Sequence, residues 1–192
     1  MTNEGTELRI VVATEDHAEG AIECLHLASE PPSESPSAGG LVLEEGLAGS
    51  QQQQGSHDLI GLIRQQARPD SGVLFLVAEE AGVVEGFLVV KRFCHVSLLF
   101  VRPDRQRQGI GRRLWEYALP EIQKMVDRNT RVASSDAPIS KREACVTLRS
   151  SRSAVSFYLR LGFQVIRDEK GEPAVVFKHG RWLTPMVFPM DR

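Results

Sequence analysis

A short apolar run, Leu8 to Val12, predicts a first strand, and Ala18, Ile22, Leu25 and Ala28 then recur at helical spacing. Thr14 stands where it can cap that helix. The pattern then breaks. Residues 30–56 carry Pro31, Pro32, Pro36, Gly39, Gly40 and the run Gln51 to Gln54, a low-complexity stretch unable to bury enough apolar surface to order itself. A second helix is expected over Asp58 to Ala67, so 30–56 reads as an insertion within a domain. From Gly72 the period changes to two. Val73, Phe75 and Val77 alternate with Leu74, Leu76 and Ala78, apolar on both sides as in a strand covered on both faces. Ala81-Gly82 supplies a turn, Val83 to Lys91 a hairpin partner, and His95 to Val101 a further strand ended by Arg102-Pro103.

Ile110, Leu114, Ala118, Ile122 and Met125 mark a long amphipathic helix, which Pro120 should kink or split because it lacks an N–H. Residues 127–143 are polar and irregular, a second expected loop. Cys145 to Arg149 predicts a strand. Ser151 or Ser153 can cap a short helix through Leu161, with Gly162 where a left-handed helix end favours glycine. Phe163 to Arg167, Pro173 to Gly180 and Trp182 to Met190 complete the strands, and Pro185 and Pro189 imply an edge or a bulge for the last. The order β-α-α-β-β-β-α-β-α-β-β is mixed α/β, with too many hairpins for a doubly wound sheet.

A length of 192 residues and 42% apolar content fit one ordinary domain spanning residues 1–192. A net charge of −2 gives no general pull toward nucleic acid or an anionic membrane. Charge is uneven, however. Arg102, Arg105, Arg107, Arg112 and Arg113 crowd together against Asp104 alone, which suggests a small anionic ligand. Met1 to Glu7 is polar, unlike a secretory signal, and no apolar run reaches membrane-spanning length. Cys24, Cys94 and Cys145 lie far apart without CxxC spacing, which argues against a disulfide framework and a zinc site. A reducing, cytoplasmic setting is the expectation.

The chemistry concentrates between Val101 and Leu114. A strand ends, an Arg/Gln-rich turn follows, and a helix opens on Gly109-Ile110-Gly111. Glycines let the backbone approach a ligand, and first-turn N–H groups have no partner inside the helix. With the helix dipole and the arginines, such a turn suits a phosphate or pyrophosphate. A solvated basic turn would look the same by composition. The P-loop ending Gly-Lys-Ser/Thr is absent, and so are the third glycine and βαβ setting of a dinucleotide fold.

Val101 to Arg112, with Gln106-Arg107-Gln108-Gly109-Ile110-Gly111 at its centre, resembles the Q/R-x-x-G-x-G/A acyl-CoA motif of GNAT acetyltransferases. It is especially similar to the version in enzymes that acetylate ribosomal-protein N-termini. Ser153 to Phe163 resembles the family's second block, A-x-x-F/L-Y-x-x-L-G-F. Gly86-Phe87 and Met186 to Met190 match weaker features, so the resemblance covers roughly Leu8 to Met190 apart from the two loops. It implies a GNAT-like fold: a mostly antiparallel mixed sheet of six to seven strands flanked by about four helices. It further implies acetyl-CoA as co-substrate, an amine acceptor and no metal. Leu99, Phe100 and Val101 would offer backbone to the pantetheine arm, and a backbone N–H near Val101 would stabilise the oxyanion. Gln106, Arg107, Gln108, Gly109, Ile110, Gly111 and Arg112 would hold the pyrophosphate, with Ser151 beside them. Tyr158 would protonate the leaving thiolate.

Two positions depart from the N-terminal-acetylating pattern: Val146 replaces its glutamate base and Ser151 its asparagine. An amine must lose a proton before attacking a thioester, so another base is needed. His95 lies six residues before Val101, an offset that matches bases in other branches of the family, and strict alternation puts it on one side with Ser97, Leu99 and Val101. An imidazole takes up a proton near neutral pH. A strand-edge histidine facing solvent is the competing reading. His179 is a more distant candidate; His17, His26 and His57 have no expected partner. Cys94 and Cys145 raise an acyl-cysteine route, but cysteines beside strands are more often small core residues, which favours direct attack. Three readings stay open: acetyl transfer to a small primary amine, a protein lysine or N-terminal acetyltransferase, and a CoA-binding module without turnover.

Overall fold

The computed structural model describes residues 7–29, 52–66, 71–133, 145–178 and 181–190. Its strands are β1 (Arg9–Val12), β2 (Leu74–Glu80), β3 (Val83–Lys91), β4 (His95–Val101), β5 (Cys145–Ser151), β6 (Gln164–Val165), β7 (Val176–Lys178) and β8 (Arg181–Pro189). The helices are α1 (Ala18–Ser29), α2 (Gln52–Gln66), α3 (Ile110–Ala133) and α4 (Val155–Arg160). One sheet runs β1-β2-β3-β4-β5-β8-β6, with β7 also on β8. Its eight strands exceed the expected six to seven because the edge beside β8 is built from two short pieces. β4 and β5 pair in parallel, as α3 carries the chain between them; the other ladders are antiparallel.

Two cores lie on opposite sides of the sheet, which is why β2 and β3 are apolar at every position in their centres. On one side Leu76, Leu88, Val96, Leu99 and Val101 pack with Ile110, Leu114, Trp115, Ala118 and Ile122 of α3 and Tyr158 of α4. On the other, Phe75, Val77, Phe87, Val89 and Phe100 meet Ala21, Cys24 and Leu25 of α1 and Leu59, Leu62 and Ile63 of α2. Ala81 and Gly82, with φ of 52° and 78°, make the mirror-image turn that suits the twist of the β2–β3 hairpin.

Several expectations change here. α3 runs unbroken through Pro120 and on to Ala133, so the second loop begins later than residue 127. Pro120 is exposed, as is Glu116 four residues earlier, so the carbonyl that loses its helical donor faces water. α2 begins at Gln52, inside the expected insertion, and residues 30–51 lie outside the described residues. β8 is not an edge strand. Pairing with β7 ends at Leu183 and pairing with β6 resumes at Met186, and Pro185 sits in the gap between them. Its carbonyl still accepts from Ile166 N–H at 3.0 Å, on the side where its missing N–H would also have pointed. No donor is lost from the β5–β8 ladder.

Neither Ser151 nor Ser153 caps α4. The N-cap is Ala154, and the two hydroxyls lie 3.2 Å from each other. Gly162 closes α4 with φ of 95°, as expected. Thr14 precedes a 3₁₀ turn, Glu15–His17, ahead of α1, and His17 has partners after all. Its Nδ1 accepts from Thr14 N–H at 2.9 Å, which leaves the ring proton on Nε2, 3.1 Å from Glu79.

Candidate active site

The register of β3 on β4 shifts by one residue between Val89 and Val90, so Ser97 has no opposite number and forms a β-bulge. The bulge has two consequences. It reverses alternation, so Val96 shares a face with Leu99 and Val101, and His95 falls on the opposite face. His95 therefore does not share a side with Leu99 and Val101; it belongs to the α1–α2 side, where its Nδ1 lies 2.8 Å from Thr147 Oγ1. The second consequence concerns β5. Only His95↔Thr147 registers between β4 and β5, beyond which the strands part.

Arg102 N–H donates to Glu85 O on β3 at 2.9 Å, and backbone direction alternates along a strand. Leu99 and Val101 therefore turn their N–H and C=O groups toward the opening beside β5. Phe100 turns its own toward β3, with its ring stacked on Phe87 at 5.4 Å in the opposite core. Of the three strand residues expected to meet a ligand, Phe100 is the one whose backbone groups turn away from the opening.

A cleft of about 460 Å³ opens where β4 ends. Val101, Gln106, Arg107, Gly109, Ile110, Gly111 and Arg112 line one side. Gln106 Nε2 donates to Val101 O at 3.1 Å and Gln108 Nε2 to Asp104 O at 3.2 Å, which ties down the turn. Gln108 thus braces the turn from outside the cleft. Gly109 has φ of 85°, where a side chain would be strained, and its carbonyl accepts the first helical bond of α3 from Arg113 at 2.9 Å. The N–H groups of Ile110, Gly111 and Arg112 consequently have no carbonyl four residues back. They and the positive end of a 24-residue helix face the cleft.

The opposite wall comes from the second motif. Ser153, Ser156, Phe157 and Arg160 line it, together with Arg105 from the turn. From sequence Arg105 entered only as part of the basic cluster and Ser153 only as a helix cap, and Ser156, Phe157 and Arg160 were given no role. Their spacing was nevertheless informative: 153, 156, 157 and 160 fall on one stripe of a helix. A Cβ at Gly111 would come within 3.1 Å of the Phe157 ring, so glycine there is what lets the first turn of α3 approach α4. Ser151 does not line the cleft; it pairs with Leu183 at the end of β5.

Tyr158 points inward from α4 and is fully buried among Phe157, Phe163 and the apolar faces of β5 and β8. Its hydroxyl has no hydrogen-bond partner among the described residues, and burial pushes its pKa well above the ordinary tyrosine range. Tyr158 does not line the 460 Å³ cleft. Val146 is fully buried in the same core. Burial raises the thiols of Cys24, to about 12, and of Cys94, with Cys145 adding to the latter. His179 lies outside the described residues. On the α1 side of the cleft mouth, the buried Glu85 carboxylate stands between Arg102 Nε at 3.6 Å and Arg105 Nε at 3.5 Å, while Arg105 also pairs with Glu80. These ion pairs hold the start of the turn against β2 and β3.

Residues 71–165 match the family model described as Acetyltransferase (GNAT) domain. The chain is similar in structure to the PaiA N-acetyltransferase of Thermoplasma acidophilum in complex with coenzyme A, at 15% identity and a TM-score of 0.61, covering 96% of this chain and 99% of that one. YncA of Salmonella typhimurium, solved with its cofactor acetyl-CoA, gives 19% identity and 0.59, over 97% and 96%. The ribosomal-protein-S18-alanine N-acetyltransferase of Escherichia coli gives 16% and 0.54, over 97% and 96%. At these identities the likeness is one of fold. No curated protein matches the chain.

Proposed function

We propose, on the premise that residues 71–165 match a GNAT acetyltransferase domain, that the chain transfers the acetyl group of acetyl-CoA to a primary amine by direct attack. The observation that carries this reading is the cleft between α3 and α4. It presents the unpaired first-turn N–H groups of Ile110, Gly111 and Arg112 alongside arginines, a setting made for a pyrophosphate. From there the pantetheine arm follows the backbone groups of Val101 and Leu99 that face the opening beside β5. The thioester then lies where the two cores meet through the gap between β4 and β5.

The chemistry is a simple exchange. A C–N bond forms as the amine nitrogen attacks the thioester carbonyl, and the C–S bond breaks. The amine proton passes to a base, His95 in this reading, reached from the α1–α2 side of the sheet. Tyr158 returns a proton to the departing thiolate from the α3–α4 side. Its hydroxyl is buried without a partner among the described residues, and its raised pKa keeps it protonated in the resting protein. A raised pKa makes the Cys94 thiol a poor nucleophile near neutral pH, which supports direct attack over an acyl-cysteine. Val146, buried where a carboxylate base would stand, and Ser151, which is not part of the cleft lining, argue for a small amine over a protein N-terminus. Use of acetyl-CoA and three free cysteines suits a cytoplasmic protein.

The test is thiol release from acetyl-CoA across a panel of small amines and peptides. A small amine should give turnover, and His95→Ala should lower it and abolish or displace the fall in rate on the acid side. Wild-type rate and pH profile in that variant would reject His95 as base. Tight acetyl-CoA binding with no active acceptor would make the protein a binding module.

A further inference from the structure

The cleft is lined by four arginines, and they are not equivalent. Arg105 is held by Glu80 and Glu85, and Arg112 Nε donates to Glu116 at 2.7 Å. Arg107 and Arg160 make no ion pair or hydrogen bond among the described residues. Arg107 belongs to the glycine turn, with φ of 61°, and completes the pyrophosphate cradle. Arg160 comes from the other wall, at the end of α4, one turn on from Ser156, and Ser153 just ahead of the helix lines the same wall. A pyrophosphate seated on the first turn of α3 is served by that turn's own N–H groups and Arg107. A second cation across the cleft calls for a second anion.

We propose that Arg160, with the hydroxyls of Ser153 and Ser156 beside it, binds the 3′-phosphomonoester of CoA and makes the protein discriminate CoA from dephospho-CoA. The inference rests on the acyl-CoA reading of the cleft. A phosphomonoester carries about −1.5 to −2 charges at neutral pH and three acceptor oxygens, which a guanidinium fork matches in geometry as well as sign. Both groups are solvent-accessible, so the preference is modest and weakens with salt.

Calorimetric titration of the full chain with CoA and with dephospho-CoA, at one low ionic strength, tests it. Wild type should bind CoA about tenfold more tightly, as expected for one charge-assisted contact. Arg160→Gln should weaken CoA by about that factor and leave dephospho-CoA within about twofold. Arg160→Lys should restore part of the preference, and since residue 160 is exposed the variants should keep the wild-type melting temperature. Equal binding of the two ligands by wild type would overturn the proposal while leaving the acyl-CoA reading intact. Equal weakening of both ligands by Arg160→Gln would overturn it too, assigning the arginine to the pyrophosphate. Failure of wild type to bind either ligand would remove the donor reading itself.

Discussion

Tyr158 combines apolar packing of its ring with a buried phenol hydroxyl. Its ring is fixed by edge contacts to Phe157 and Phe163, with centroids 5.0 and 5.5 Å away, while its hydroxyl has no partner among the described residues. Replacement by Phe keeps the ring and deletes the oxygen. Turnover of Tyr158→Phe should fall about 10²- to 10⁴-fold, the usual contribution of a general acid, with acetyl-CoA affinity little changed. A stability consequence accompanies it. The folded-state pKa is raised, so stability is fully present below the unfolded tyrosine value of about 10 and is lost as pH rises beyond it. Tyr158→Phe should therefore retain more stability than wild type in urea melts above about pH 10. Equal alkaline losses would mean that the phenol reaches water. His95 marks where residue-level reading failed: a bulge at Ser97, with no sequence sign that it displaces a strand, moved the imidazole to the other face.

At the scale of elements, α3 carries most of the site and much of one core. Leu114 is fully buried against the sheet, so Leu114→Ala should cost about 2–5 kcal/mol, read from the urea midpoint. Pro120, on the exposed side of the same helix, is opposite in sign. Pro120→Ala restores an N–H to an uninterrupted helix and should stabilise by about 1–3 kcal/mol. A destabilised Pro120→Ala would show that the proline sets a bend the packing needs. Apolar spacing, with cap and glycine signals for α4, located the four helices among the described residues and most strand cores. It lost accuracy at ends: α2 starts earlier and α3 ends later than the periodicity implied, because polar residues such as Gln52 and Asn129 extend a helix at little cost once its apolar stripe is anchored.

For the whole molecule the sheet is a partition. Tyr158 belongs to the α3–α4 core and His95 to the opposite side, and the two sides communicate where β4 and β5 part after a single registered pair. Donor and acceptor would then enter from different faces and meet in that opening, both present at once. Initial-rate plots at varied acetyl-CoA and amine should intersect. Parallel lines would indicate a covalent acyl-enzyme and overturn direct transfer. No helix among the described residues is long and apolar enough to cross a membrane.

The Gln106–Gly111 turn and the Ser153–Phe163 block were visible in the sequence because their demands are local: a glycine at positive φ, unpaired amides at a helix start, a tyrosine at helical spacing. Those demands determined the family resemblance and the residues on one wall of the cleft. Tertiary structure alone decided which residues formed the second wall, since Arg160 and Arg107 meet in one cleft only when Gly111 lets α4 pack against α3. It also decided which face His95 occupies and how Pro185 fits inside the sheet. Those outcomes depend on register, and register is set by pairing between strands far apart in the chain.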